Sequence, residues 1–207
     1  ELPAERIGKA VALLSQRAGE CGMVGGQVLD LAGEQLVLTE EEIYNVHRLK
    51  TGALISAACQ LGVIAAGGTQ EQLDAADRYA EALGLAFQTR DDMLDVLGDA
   101  GKMGKATGMD ENKNTFVRLY GVGACSRLIE KETQKAIEAL GAFEDSDFLK
   151  ELSRIVREDT EGILSRNLSM YVLKEFYLTP YDRNGDFYAQ IEKRIGKAEA
   201  VFGISHS

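Results

Sequence analysis

The chain has 207 residues and carries 33 acidic against 23 basic side chains, for a formal charge of −10. That length suits one domain, or one domain with an appendage, and the acidic balance argues against a nucleic-acid partner held through its phosphates. Three widely spaced cysteines (Cys21, Cys59, Cys125) form no C-x-x-C pair, and no uninterrupted apolar run approaches ~18 residues, so neither a disulfide framework, a zinc site nor a membrane span is expected.

Glu1-Leu2-Pro3 opens directly into a helix-like pattern with no signal peptide, and a soluble cytoplasmic protein is the expectation. Pro3 suits a first helical turn, and Ile7, Ala10, Val11 and Leu14 follow at helical spacing. Gly22, Gly25 and Gly26 then interrupt the pattern in CGMVGGQVLDL. Each glycine costs about 1 kcal/mol relative to alanine inside a helix, so its use is a close backbone approach by another helix or a ligand. Gln27 and Asp30 follow one turn apart, on a common face.

Thr39 to Glu42 reads as a capping box opening a helix that carries His47, Lys50 and Thr51 within one turn, and Gly67-Gly68 ends it. Thr69 to Gln72 is a second capping box. Its helix sets Leu73, Ala76, Ala80, Leu83 and Phe87 on one face and ends in FQTRDDMLD. There Asp91 and Asp95 share a face, Asp92 sits about a quarter turn away, and Gln88 lies one turn earlier. Like charges one turn apart cost roughly 0.2–0.5 kcal/mol per pair, a cost that a hard divalent cation would reverse; a solvated acidic helix face is the competing reading.

Gly98 to Asn114 reads as a lysine- and glycine-bearing loop in which Lys102, Lys105 and Lys113 are placed to reach an anion. Helical pattern resumes from Tyr120 to Leu140, and a further helix from near Ser146 turns Phe148, Leu152, Ile155 and Val156 inward. No period-2 alternation of useful length occurs, so the fold is expected to be all-α. Composition changes after Ser165: seven of the 14 aromatics lie between Tyr171 and Phe202, with Pro180 and Asn184-Gly185 marking a break. Six basic and five acidic residues from Ser165 onward are unlike a basic membrane anchor. The domain expectation is a helical domain over 1–164 and an aromatic-rich helical extension over 165–207.

Four stretches, GMVGGQVLDL, HRLKTGALI, FQTRDDMLD and GKATGMDENKNTF, resemble in order and spacing the trans-isoprenyl diphosphate synthases, the farnesyl and geranylgeranyl diphosphate synthase family. The resemblance covers about residues 1 to 157. It implies an all-α isoprenoid-synthase-type bundle and Mg²⁺-dependent (or Mn²⁺-dependent) condensation of isopentenyl diphosphate with an allylic diphosphate. By the same resemblance Asp91, Asp92 and Asp95 match the family's second aspartate-rich motif, with Asp91 the foremost metal ligand. Lys50 and Lys105 match lysines on the allylic diphosphate, Thr51 the residue beside the carbocation, and Gln88 a hydrogen-bonding partner near the reacting carbon. Phe87 matches a cavity-lining residue, Gln27 and Asp30 the family's polar pair near the site, and His47 and Lys113 further substrate-binding positions. Taken alone, Lys50 and Lys105 read as snorkelling surface lysines, the usual fate of lysine, and His47 as a satisfied core or surface histidine.

Two departures from the family pattern stand out. The loop between Asp110 and Lys113 is about two residues short, and the 207 residues hold a single D-D-x-x-D, without the family's first aspartate-rich motif or its basic region for isopentenyl diphosphate. The expectation is therefore a chain lacking the N-terminal helices of the bundle, inactive alone and oligomeric. The alternative is a non-catalytic subunit that pairs with a complete synthase. A terpene cyclase would need an N-S-E-type metal motif after the aspartates, and none is present.

Overall fold

The structure, a computed structural model, describes residues 2–103 and 114–158, with 97–103 as backbone only. The described residues form eight α-helices and no strand: α1 (Ala4–Ala18), α2 (Met23–Gly33), α3 (Glu40–His47), α4 (Ala53–Ala66), α5 (Gln70–Met103), α6 (Phe116–Tyr120), α7 (Val122–Ala139) and α8 (Asp147–Glu158). The all-α expectation is met. The extension 165–207 lies outside the described residues, as does the 164/165 boundary.

Both capping boxes form. Thr39 Oγ1 accepts from the Glu42 amide while the Glu42 carboxylate accepts from the Thr39 amide. Thr69 and Gln72 exchange the same pair of bonds. Each box satisfies two orphan donors of a helix N-terminus, a contribution of about 1 kcal/mol. Gly67 closes α4 in the left-handed region at φ 75°, where a side chain would be strained.

Helix α5 is the axis of the bundle, 34 residues long, or about 50 Å at 1.5 Å per residue. Its alanine-rich face (Ala75, Ala76, Ala80, Ala82, Ala86) is buried and lets α4 and α7 approach closely. Tyr79, Leu83 and Met93 join Ile43, Phe116, Ile129 and Leu140 in one core. The α5 face expected from Leu73 to Phe87 is thus inward, with Leu73 and Phe87 at its partly buried margins. A buried polar cluster ties α1 to this axis. Arg17 donates to both Asp77 oxygens at 2.9 and 3.0 Å, and Ser56 and Gln60 of α4 donate to the same carboxylate.

Three expectations are corrected. Gly25 and Gly26 lie inside α2; the chain breaks earlier, at Gly19 to Gly22. Helix α5 runs through Gly98 to Met103, so any loop there is shorter than its glycines suggest. Phe148 is 78% exposed, and Leu149, one position on, packs against the core with Leu152 and Val156. Neighbouring residues differ by 100° around a helix, and the carbonyl of Leu149 is where Tyr79 docks its hydroxyl, at 3.1 Å.

One described helical run, Glu40–Ala66, is long and apolar enough to cross a membrane by length and composition. Arg48 and Lys50 interrupt it, and its small residues Ala53, Ser56, Ala57 and Val63 are buried against the bundle. That packing accounts for its apolar content.

Candidate active site

Between α3 and α4 the helix continues through one π turn, Arg48–Gly52. Such turns are rare and gather at functional sites, because an extra residue in the turn swings side chains out of helical register. This one is gripped on two sides by glycines. A Cβ on Gly26 of α2 would fall 2.3 Å from the Lys50 amide nitrogen, and one on Gly84 of α5 would fall 3.3 Å from the Gly52 Cα. The close backbone approach expected of the α2 glycines is made to the turn bearing Lys50 and Thr51.

Lys50 and Asp30, each about a third exposed, pair at 2.5 Å across α2 and the π turn. The Thr51 hydroxyl donates to Gln88 Oε1 of α5 at 2.9 Å. Four predicted positions from three elements therefore converge. Gln27, one turn before Asp30, is exposed. Phe87 is partly buried against the core. Lys105 and Lys113 lie outside the described residues.

The three aspartates occupy different environments. Asp91 is half-buried and Asp95 exposed, whereas Asp92 is buried at 8% exposure. The Gln88 amide approaches Asp92 Oδ1 at 3.4 Å, and His47 Nε2 stands 3.5 Å from Asp92 Oδ2. The His47 ring rests against Phe116, with centroids 5.4 Å apart. Burial pushes the Cys125 thiol of α7 up to about 11, and the nearby Asp92 charge adds to the shift. Asp92 thus faces α3 and α7, toward the core.

Among the described residues no three His, Cys, Asp or Glu side chains converge on a point suited to a metal ion. Mg²⁺ commonly takes only one or two protein carboxylates and completes its shell with water and substrate phosphate oxygens. Asp91 and Asp95, hard oxygen donors one turn apart and open to solvent in graded degree, fit that mode.

Asn114 was not singled out in the sequence, yet it fastens the site's edge. Its amide donates to the carbonyls of Gly33 and Leu36 at 2.8 and 2.9 Å, and its Oδ1 accepts from the Leu38 amide at 3.0 Å. The available signal was its place directly before Thr115, which caps α6. A groove of about 720 Å³ bordered by Glu40, Glu41, Tyr44, Phe116, Tyr120 and Glu132 holds none of the predicted residues. Its three glutamates are the wrong sign for a diphosphate.

The all-α bundle that carries these residues has the fold of solved isoprenyl diphosphate synthases. The family model for polyprenyl synthetase matches residues 5–156, and the chain belongs to that family. Geranylgeranyl pyrophosphate synthase 3 of Arabidopsis thaliana is 40% identical over 147 residues, which are 69% of this chain and 41% of the relative. Farnesyl diphosphate synthase of Escherichia coli is 44% identical over 115 residues, covering 54% of this chain and 38% of that protein. Among solved structures, a geranyltransferase from Helicobacter pylori complexed with magnesium and isoprenyl diphosphate superposes with a TM-score of 0.60 at 30% identity, over 77% of this chain and 53% of that one. An FPP/GFPP synthase from Zymomonas mobilis gives 0.64 at 30% identity, over 74% and 52%. The chain thus spans roughly two-fifths of these curated relatives' length. Trans-prenyltransferases of the family generally work with a divalent metal.

Proposed function

We propose that this chain supplies the allylic-diphosphate half of a short-chain prenyl diphosphate synthase site, of farnesyl or geranylgeranyl type, working with Mg²⁺. The observation that carries the reading is the glycine-gripped π turn, which sets Thr51 against Gln88 of α5 and Lys50 against Asp30 of α2, while α5 carries Asp91 and Asp95. Lys50 would contribute positive charge to the diphosphate by exchanging its Asp30 partner for a phosphate oxygen. Thr51, its proton donated to Gln88, turns oxygen lone pairs toward an electron-poor carbon. Asp91 and Asp95 would hold the metal, whose charge eases departure of the pyrophosphate.

The test is calorimetric titration of the chain with pyrophosphate in Mg²⁺. Binding that requires the metal, weakened about tenfold or more by Asp91→Ala and by Lys50→Ala, is the expected result. Binding indifferent to metal, or untouched by both substitutions, would overturn the assignment.

Assembly is a second proposal. Ile7, Val11 and Leu14 of α1 and Val24, Val28 and Leu31 of α2 are each between 45 and 60% exposed. Large exposed apolar surfaces are uncommon on soluble monomers, so the chain is expected to form a homo-oligomer or to pair as a subunit with a complete synthase. Light scattering of the purified chain decides the first point: a species of more than one chain mass supports it, and a monodisperse monomer refutes it.

A further inference from the structure

His47 and Asp92 present an unusual pair of atoms. His47 Nε2 and Asp92 Oδ2 are both buried, neither has a hydrogen-bond partner within strict geometry, and they face one another across 3.5 Å. Buried polar atoms without partners are rare in folded proteins, and two facing each other imply a bond that closes with a small shift. The other Asp92 oxygen is directed at the Gln88 amide, and Gln88 in turn accepts from Thr51. The hydrogen bonds therefore run with one polarity: Thr51 hydroxyl to Gln88 carbonyl, Gln88 amide to Asp92, and the imidazole toward the same carboxylate from the opposite side. Reversing the Gln88 amide would set its nitrogen against the Thr51 hydroxyl and its oxygen against a carboxylate, so Asp92 fixes which way Gln88 points.

We infer that His47 is a positioning residue: its Nε2–H holds Asp92, Asp92 orients Gln88, and Gln88 sets the direction of the Thr51 hydroxyl. Asp92 is on this account an anchor inside the aspartate motif, while its metal-facing members are Asp91 and Asp95. Asp92 is buried at 8% exposure and each of its oxygens faces a protein donor, whereas Asp91 and Asp95 are more open to solvent. Phe116, a core residue, packs against the imidazole at a tilt, with ring centroids 5.4 Å apart. The donor role does not depend on the charge of His47, because both the cation and the Nε2–H tautomer carry the proton at that nitrogen. The inference rests on the proposed function for the purpose of the relay, but its geometry is testable without it.

Long-range proton–nitrogen correlation spectra of the wild-type chain, recorded where histidine is neutral, report the tautomer directly. The expected result is the Nε2–H form for His47; the Nδ1–H form overturns the inference. The Gln88 side-chain amide protons supply the second readout. They should exchange at least about tenfold faster in His47→Ala and at the wild-type rate in His47→Gln, which keeps an N–H donor. Equal exchange in wild type and His47→Ala overturns the inference, while a merely structural role would not be rescued by glutamine. If His47→Ala fails to fold, the wild-type tautomer still decides. A chain with the Nε2–H tautomer that binds no pyrophosphate in Mg²⁺ upholds this inference and overturns the functional reading. The opposite pair of results does the reverse.

Discussion

Gly26→Ala should lower the melting temperature by roughly 5–10 °C, although alanine is the better helix former by about 1 kcal/mol. Gly26 is interior to α2 and buried, so propensity alone argues for stabilisation. Packing argues the other way and wins. The added methyl carbon would stand 2.3 Å from the Lys50 nitrogen and 2.7 Å from the Leu49 carbonyl carbon. These are backbone atoms of a turn already held from the far side by Gly84, so no side-chain rotation relieves the clash. Overpacking against rigid neighbours costs about 1–3 kcal/mol beyond what propensity returns. The same change should also displace Lys50 and weaken pyrophosphate binding. Gly8→Ala is the internal control: it sits in α1, where an added methyl would meet nothing within 4 Å, and should raise stability slightly. A Gly26→Ala chain that melts at or above the wild-type temperature would show that α2 does not bear on the π turn as described.

What could be read from residue order and what could not divides along physical lines. Local chemistry was legible: Thr39 and Thr69 each precede a residue able to reach back, and both boxes form. The cost of glycines in α2 pointed to a close approach, and the structure supplies the partner, the Lys50 backbone. The convergence of Lys50, Thr51 and Gln88 came from resemblance, since nothing in a 37-residue separation reveals a hydrogen bond between Thr51 and Gln88. Periodicity failed where two neighbours were both apolar. Phe148 and Leu149 are both apolar candidates, and the choice depends on where α5 and α7 pack against α8. It also failed to separate Asp92 from Asp91 and Asp95. Helical spacing gives relative direction about an axis, but which direction is inward depends on where α3 and α7 pack. The π turn was not legible in the sequence; it shows only in the structure, where Gly26 and Gly84 let two other helices approach it closely.

The purified 207-residue chain, given Mg²⁺, isopentenyl diphosphate and dimethylallyl or geranyl diphosphate, should form no measurable prenyl product. The lysine, threonine and glutamine of the proposed site are in place, so failure would not reflect a disordered half-site. It would reflect charge and geometry. Releasing pyrophosphate from an allylic carbon needs the leaving group's several negative charges balanced from more than one side. Among the described helices only α5 carries aspartates one turn apart, and the 207 residues contain one D-D-x-x-D. A diphosphate held from one side keeps rotational freedom, and loss of positioning is costly because oriented reactants account for several kcal/mol of a typical barrier. Isopentenyl diphosphate, a second anion, would further need cations near the first, and Lys50 is already assigned to the allylic diphosphate. Adding a polypeptide that carries a second D-D-x-x-D and a basic patch should restore turnover. Asp91→Ala in that reconstituted assembly should then remove it by several orders of magnitude, on the order of the loss seen when a principal electrostatic partner of a leaving group is deleted. Radiolabelled isopentenyl diphosphate extracted into an organic phase as prenyl alcohol after phosphatase treatment gives the readout. Product from the chain alone would mean that one aspartate pair is sufficient, and with it the half-site reading would fall.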